Sequence, residues 1–276
     1  MPTKPKLGQN FLHDPHAIQR IVAALGDCSR ETVIEIGPGR GALTRVLVAH
    51  AAHVLAIELD DALIAHLRAE FPANQVTVVH QDVLGFDFAA ASAQAGHRLA
   101  VVGNLPYYIT SPILLKLAAS HSSPNGPVLD RAVLMMQREV ADRVAAEPGS
   151  RDYGLLSVTA QLYGPVEKLF TLPPGAFSPP PQVHSTVIRW RFAPRSSALG
   201  IDNADTFQAF LRQAFAQKRK TLANNLRAAG FSTPDTSRAL AAAGIDPQIR
   251  AEALSLESFA AMWKILRGAD LPSLQE

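Results

Sequence analysis

Cysteine is almost missing from this 276-residue chain: Cys28 stands alone, so no internal disulfide can form and a reducing compartment is expected. No apolar run approaches the ~18 residues of a membrane-spanning helix. Met1-Pro2-Thr3-Lys4-Pro5-Lys6 lacks the apolar stretch of a secretion signal, so a cytoplasmic chain without membrane attachment is expected. The nine histidines are scattered, none paired four residues apart beside a carboxylate, and no metal is expected. Ser157 and Ser185 lack the glycines of a nucleophile elbow, which excludes acyl transfer of that type. A net charge of +2 is too mild to demand a nucleic-acid partner. With 47% hydrophobic residues, the chain can bury a full α/β core and carry one smaller appendage.

What is present begins with the β-branched run Thr32-Val33-Ile34, followed by Glu35-Ile36-Gly37-Pro38-Gly39-Arg40-Gly41-Ala42 and an amphipathic stretch to His50. Strand, glycine turn and helix open a nucleotide-binding βαβ unit, in which glycines let the backbone approach a ligand at a helix N-terminus. A second strand, His53 to Ile57, ends in Glu58, 21 positions after Gly37, the spacing at which a carboxylate meets a ribose. Ala42 completes a Gly-x-Gly-x-x-Ala pattern, so the loop alone does not separate a dinucleotide from an adenosyl sulfonium. A third strand, Val76 to His80, leads to Asp82, which can accept from an adenine amino group or cap a helix. The fourth, Leu99 to Val102, delivers Gly103-Asn104-Leu105-Pro106-Tyr107. There a flat base can stack on Tyr107 while its amine reaches the Asn104 side-chain oxygen and the Leu105 carbonyl, which Pro106 helps leave unpaired.

Gly8-Gln9-Asn10-Phe11-Leu12, Glu35 to Gly41, Asn104-Leu105-Pro106-Tyr107 and Phe177-Ser178-Pro179-Pro180-Pro181-Gln182-Val183 together resemble the rRNA adenine N6-dimethyltransferases. Met136 to Ala141 and Pro148-Gly149-Ser150 with Tyr153-Gly154 resemble the bacterial small-subunit branch. The resemblance implies a Rossmann-like, S-adenosylmethionine-dependent methyltransferase domain carrying a small all-helical C-terminal domain. It implies dimethylation of two adjacent adenosines in the 3′-terminal hairpin of 16S rRNA, within a small-subunit (30S) assembly particle, by a monomer. Cofactor contacts then fall on Asn10, Leu12, Gly37, Gly39, Glu58, Asp82 and Asn104. The target adenine falls to Asn104, Leu105 and Tyr107; Phe177, just before three prolines, reads either as an aromatic plugging the core edge or as one on a surface turn closing over the base opposite Tyr107, and the resemblance favours the second. Tyr108 and Thr110-Ser111 depart from the pattern, standing where relatives carry Asn and Ser-Thr. A large-subunit methyltransferase of the macrolide-resistance type shares the first and third motifs but not Pro148 to Gly154. A non-catalytic RNA-binding relative is opposed by the intact Glu58, Asp82 and Asn104.

Alternating strands and helices run to a last strand, Thr186 to Phe192, and predict an α/β domain over 1–193, which the resemblance makes the methyltransferase domain, and a helical domain over 194–276, to which the resemblance and the basic residues below give the RNA contact. Helix-period stretches follow at Thr206 to Gln217, Thr221 to Ala229, Thr236 to Ala243 and Leu256 to Leu266. Eight basic residues stand against Asp202 and Asp205 between Arg189 and Arg227. Within that stretch Lys218-Arg219-Lys220 reads as a phosphate-contacting patch or as a solvated helix face. Asp14 and Pro15 mark a helix start, Met135-Met136 fills a central strand, and Ala89 to Ala95 reads as a loosely specified loop.

Overall fold

Valine and isoleucine, stiff at χ1 and at home on a pleated surface, fill the strands of the structure, a computed structural model describing residues 10–121 and 127–267. In chain order the strands are β1 (Phe11–Leu12), β2 (Cys28–Ile36), β3 (Ala51–Glu58), β4 (Val76–His80), β5 (Leu99–Asn104), β6 (Leu129–Gln137), β7 (Val166–Leu172), β8 (Phe177–Ser178) and β9 (Ser185–Arg191). Seven form one sheet in the order β4-β3-β2-β5-β6-β9-β7. The first five are mutually parallel, and β9 runs antiparallel to both β6 and β7. Parallel strands covered on both faces read as continuous apolar runs, and Val33, Ile34, Val101, Val102, Val133 and Leu134 are fully buried. Met135 and Met136 are buried in β6 as expected. The short strands β1 and β8 pair antiparallel in a separate sheet.

The helices are α1 (Pro15–Ala24), α2 (Thr44–Leu47), α3 (Asp61–Glu70), α4 (Phe88–Ala95), α5 (Thr110–His121), α6 (Arg138–Val144), α7 (Leu155–Tyr163), α8 (Ala204–Ala214), α9 (Leu222–Ala228), α10 (Thr233–Ala242) and α11 (Leu256–Leu266). Asp14 caps α1 by accepting from the His16 and Ala17 N–H groups, with Pro15 opening the helix. One expectation fails: Ala89 to Ala95 is not a loop but lies in α4. Alanine gives no amphipathic contrast, yet it is the strongest helix former. Asp87 accepts from the Ala90 N–H at one end, and Gly96, at φ +74°, donates to the Ser92 carbonyl at the other.

Among the described residues, contacts divide the chain into two compact units: residues up to Ala141 with Pro165–Phe192, and Asp142–Gly164 with residues from Ala193 onward. The second unit thus takes in 142–164, which a single cut after residue 193 leaves with the first. It is helical, with Phe207, Phe210, Phe259 and Trp263 buried together. The Phe210 ring meets Phe259 edge-on at 6.3 Å and tilts onto Trp263 at 5.4 Å, the offset geometry aromatic quadrupoles favour. Among the described residues, no helix is long and apolar enough to cross a membrane.

Candidate active site

The chain leaves β2 toward β3 and β4 on one side of the sheet and continues from β5 to β6 on the other. Where strand order reverses in this way, a crevice opens at the carboxyl ends of the strands. A cleft lies there, lined by residues at or just beyond the ends of β2, β3, β4 and β5. The strands must come close to form it. A Cβ at Gly103 would sit 2.6 Å from the Ile36 carbonyl oxygen, so only glycine fits at that crossing.

The glycine turn and Glu58 are built as one unit. Gly37 and Gly39 take the left-handed region at φ +65° and +58°, and the Gly37 N–H donates to the Ile57 carbonyl at 3.0 Å. Glu58, only 6% exposed, accepts from the Gly39 N–H through Oε2 at 3.2 Å. Its Oε1 accepts from the Leu59 and Asp60 N–H groups at 2.7 and 3.0 Å. Three main-chain donors therefore hold the carboxylate at the end of β3, and a carboxylate has room for about four. Behind the turn, Glu35 is buried and accepts from the Thr44 hydroxyl at 2.6 Å. Burial, with the Glu58 charge adding to it and the Thr44 hydrogen bond opposing, pushes its carboxyl up to about 7.

Asp82 is a cap, as one of its two sequence readings held, and it also lines the cleft. Its Oδ1 caps the 3₁₀ turn Val83–Gly85 by accepting from the Leu84 N–H at 2.9 Å, while the residue is exposed and lines the cleft. At the end of β5, the Asn104 side-chain amide donates to the Asn10 carbonyl at 2.9 Å. The tether commits the nitrogen and leaves Oδ1 as the available acceptor. Leu105 donates its own N–H to the Met135 carbonyl at 2.9 Å, and among the described residues no backbone N–H donates to its carbonyl. Tyr107 is half-buried with its hydroxyl 2.8 Å from the Ser185 hydroxyl, and burial holds its phenol above the usual range.

The structure brings Asn10, Gly37, Gly39, Glu58, Asp82, Asn104, Leu105 and Tyr107 to one cleft. Leu12 is not among the lining residues; its side chain packs in the core, and its neighbour Phe11 faces the cleft instead. Phe177 requires a correction. It is 2% exposed and belongs to the core that holds Leu12, because β8 pairs with β1. A ring buried there offers no face to a base, so it plugs the core edge rather than standing on a surface turn. Gly8 and Gln9 lie outside the described residues. Lys218, Arg219 and Lys220 are exposed in the turn before α9, whose N-cap is Thr221; they form a turn cluster, not a helix face. Sequence reasoning missed Ser185, Thr44 and the main-chain role of Asn10, none of which has a local signal. Phe11 stood unremarked inside a motif already singled out.

A left-handed glycine turn, two strand-end acids, apolar walls from Ile36, Ile57 and Val83, and two free carbonyl-type acceptors suit an adenosyl group beside an exocyclic amine. Residues 2–267 match the model of the family described as ribosomal RNA adenine dimethylase. The ribosomal RNA small subunit methyltransferase A of Acidobacterium capsulatum is 56% identical over 264 residues, covering 95% of this chain and 91% of that protein. The protein of the same name from Koribacter versatilis is 48% identical, covering 96% and 94%. A dimethyladenosine transferase from Plasmodium falciparum superposes with a TM-score of 0.74 at 25% identity, covering 94% of this chain and 98% of that one. This chain therefore belongs to the ribosomal RNA adenine dimethylase family.

Proposed function

We propose that this protein dimethylates N6 of two adjacent adenosines in the 3′-terminal hairpin of 16S rRNA during small-subunit assembly in the cytoplasm, acting as a monomer. The observation that carries the reading is the Asn104 amide, tethered through its nitrogen to the Asn10 carbonyl so that its oxygen is left to accept from a ligand. Its methyl donor is S-adenosylmethionine, which when bound supplies an electrophilic methyl on a sulfonium. Asn10, Gly37, Gly39, Glu58 and Asp82 would hold it; Glu58 has an acceptor direction to spare for a ribose hydroxyl, and Asp82 an oxygen for an adenine amine.

For the substrate, Asn104 Oδ1 and the Leu105 carbonyl accept the amine hydrogens, turn its lone pair outward and stabilise the positive charge the nitrogen gains. Tyr107, fixed by Ser185, offers a ring on which the base stacks. Burying the base in the cleft keeps water from the reacting atoms. The N6 proton passes to solvent, and a monomethyl amine keeps one hydrogen for a second round at the same acceptors. An adenine inside a helix cannot reach these groups, so the target is a loop or flipped base. The second, helical unit would contact RNA through Lys218, Arg219 and Lys220.

Small-subunit specificity is supported by the names of the Acidobacterium and Koribacter relatives and by Pro148-Gly149-Ser150 with Tyr153-Gly154. The test is to delete the gene in its host and compare rRNA with that of a complemented strain by reverse-transcription stops and nucleoside mass spectrometry. Loss of two adjacent dimethyladenosines near the small-subunit 3′ end is expected. Loss of a large-subunit mark alone would overturn the assignment.

A further inference from the structure

Tyr107 and Tyr108 are consecutive in sequence and meet different surroundings. The Tyr107 hydroxyl is tied to Ser185, whereas the Tyr108 ring is 58% exposed and stands on the same cleft. Exposed large apolar side chains are scarce among the described residues: Leu59, Tyr108, Leu115 and Val183. The two most exposed of these, Tyr108 and Leu59 at 46%, both line this cleft. Apolar surface left open on a concave site marks where a ligand supplies the cover.

The position of the ring decides which ligand. Tyr108 shares the cleft lining with Glu58, Leu59 and Asp82, which stand at or just beyond the ends of β3 and β4. Burial, with the Asp82 and Glu58 charges adding to it, raises its phenol above the usual range, so the ring is neutral at physiological pH. Asn104 and Leu105, which grip the amine, stand at the end of β5.

We propose that Tyr108 is an aromatic wall for the nucleoside of the methyl donor, its ring packing on the bound nucleoside beside Asp82 and Glu58 rather than on the target base. The inference rests on the donor reading above.

The experiment is calorimetric titration of the full chain with S-adenosylhomocysteine, using wild type, Tyr108→Phe, Tyr108→Asn and Tyr108→Ala, with small-subunit rRNA affinity and ligand-free thermal unfolding measured in parallel. Wild type and Tyr108→Phe should bind alike within about twofold, while Tyr108→Asn and Tyr108→Ala should bind roughly tenfold more weakly, as loss of one base–aromatic contact dictates. RNA affinity and ligand-free unfolding should stay unchanged, the ring being largely exposed. Nucleoside affinity unaffected by Tyr108→Ala would overturn the inference and leave the donor reading intact. A loss confined to RNA affinity would transfer the ring to the target base and overturn it equally. Wild type failing to bind S-adenosylhomocysteine would overturn both.

Discussion

Asn104 reaches across 94 positions to donate its side-chain amide to the main-chain carbonyl of Asn10 at 2.9 Å. The bond fixes the orientation of the amide, turning its nitrogen to the protein and leaving its oxygen as the acceptor. Asn104→Ala removes the oxygen and should lower turnover by about 10² to 10³, the cost of one charge-stabilising partner in comparable sites. Asn104→Asp keeps an oxygen but sets it against the Asn10 carbonyl, and it should be similarly slow. Single-turnover rates with rRNA binding held constant check both. Retention of a tenth of wild-type turnover by Asn104→Ala would remove the amine grip from Asn104.

Glu58 accepts from three main-chain N–H groups and, in the function proposed above, also from the donor's ribose. Glu58→Ala should weaken S-adenosylmethionine by ~1.5 to 3 kcal/mol, the worth of charge-assisted hydrogen bonds. It also strands the Gly39, Leu59 and Asp60 N–H groups, so thermal stability should fall as well. RNA affinity should not change. Calorimetry with an unaltered donor affinity would move the ribose contact to another residue.

Glu35 makes stability depend on pH. Its carboxyl ionises near the usual 4.5 in the unfolded chain and near 7 in the fold. Between those values the native state holds the extra proton, so this contribution is fully present below about 4.5 and is lost as pH rises through 7. The difference is roughly 3 kcal/mol. Glu35→Gln, which can still accept from Thr44, should flatten the fall in stability between pH 5 and 8. Urea unfolding of both proteins at the two pH values checks it, and parallel curves would refute it.

Lys218, Arg219 and Lys220 are exposed on one turn. Replacing all three with Gln should weaken rRNA binding and flatten the slope of log affinity against log salt by up to about 2 to 3 if each meets a phosphate. An unchanged slope would leave the turn merely solvated. Donor affinity should be indifferent to the change.

What the sequence made legible was local. The Val76–His80 strand and the Leu256–Leu266 helix fall where pattern places them, and capping chemistry at Asp14 marks a helix start to the residue. Glu58 and Asp82 reach one cleft because strand ends in a doubly wound sheet have nowhere else to point. Composition misled where it lacks contrast, as in the alanine-rich α4. The rest of the site is made by pairs far apart in the chain: Tyr107 with Ser185, Asn104 with Asn10, and β1 with β8. No periodicity carries such information, and this is why Phe177 read as a surface aromatic although strand pairing buries it.

The pairing of Phe11–Leu12 with Phe177–Ser178 also sets an order of events during synthesis. A nascent chain that has emerged only through β6 possesses every parallel strand, the glycine turn and Asn104. It still lacks the strand that clamps the segment next to Asn10, and it lacks Ser185 to steady Tyr107. Contacts of such long separation close late. The hydrogen bond that steadies Tyr107 therefore forms only after Ser185 has left the ribosome, so a truncated or stalled chain carries the motifs of this family without their full geometry.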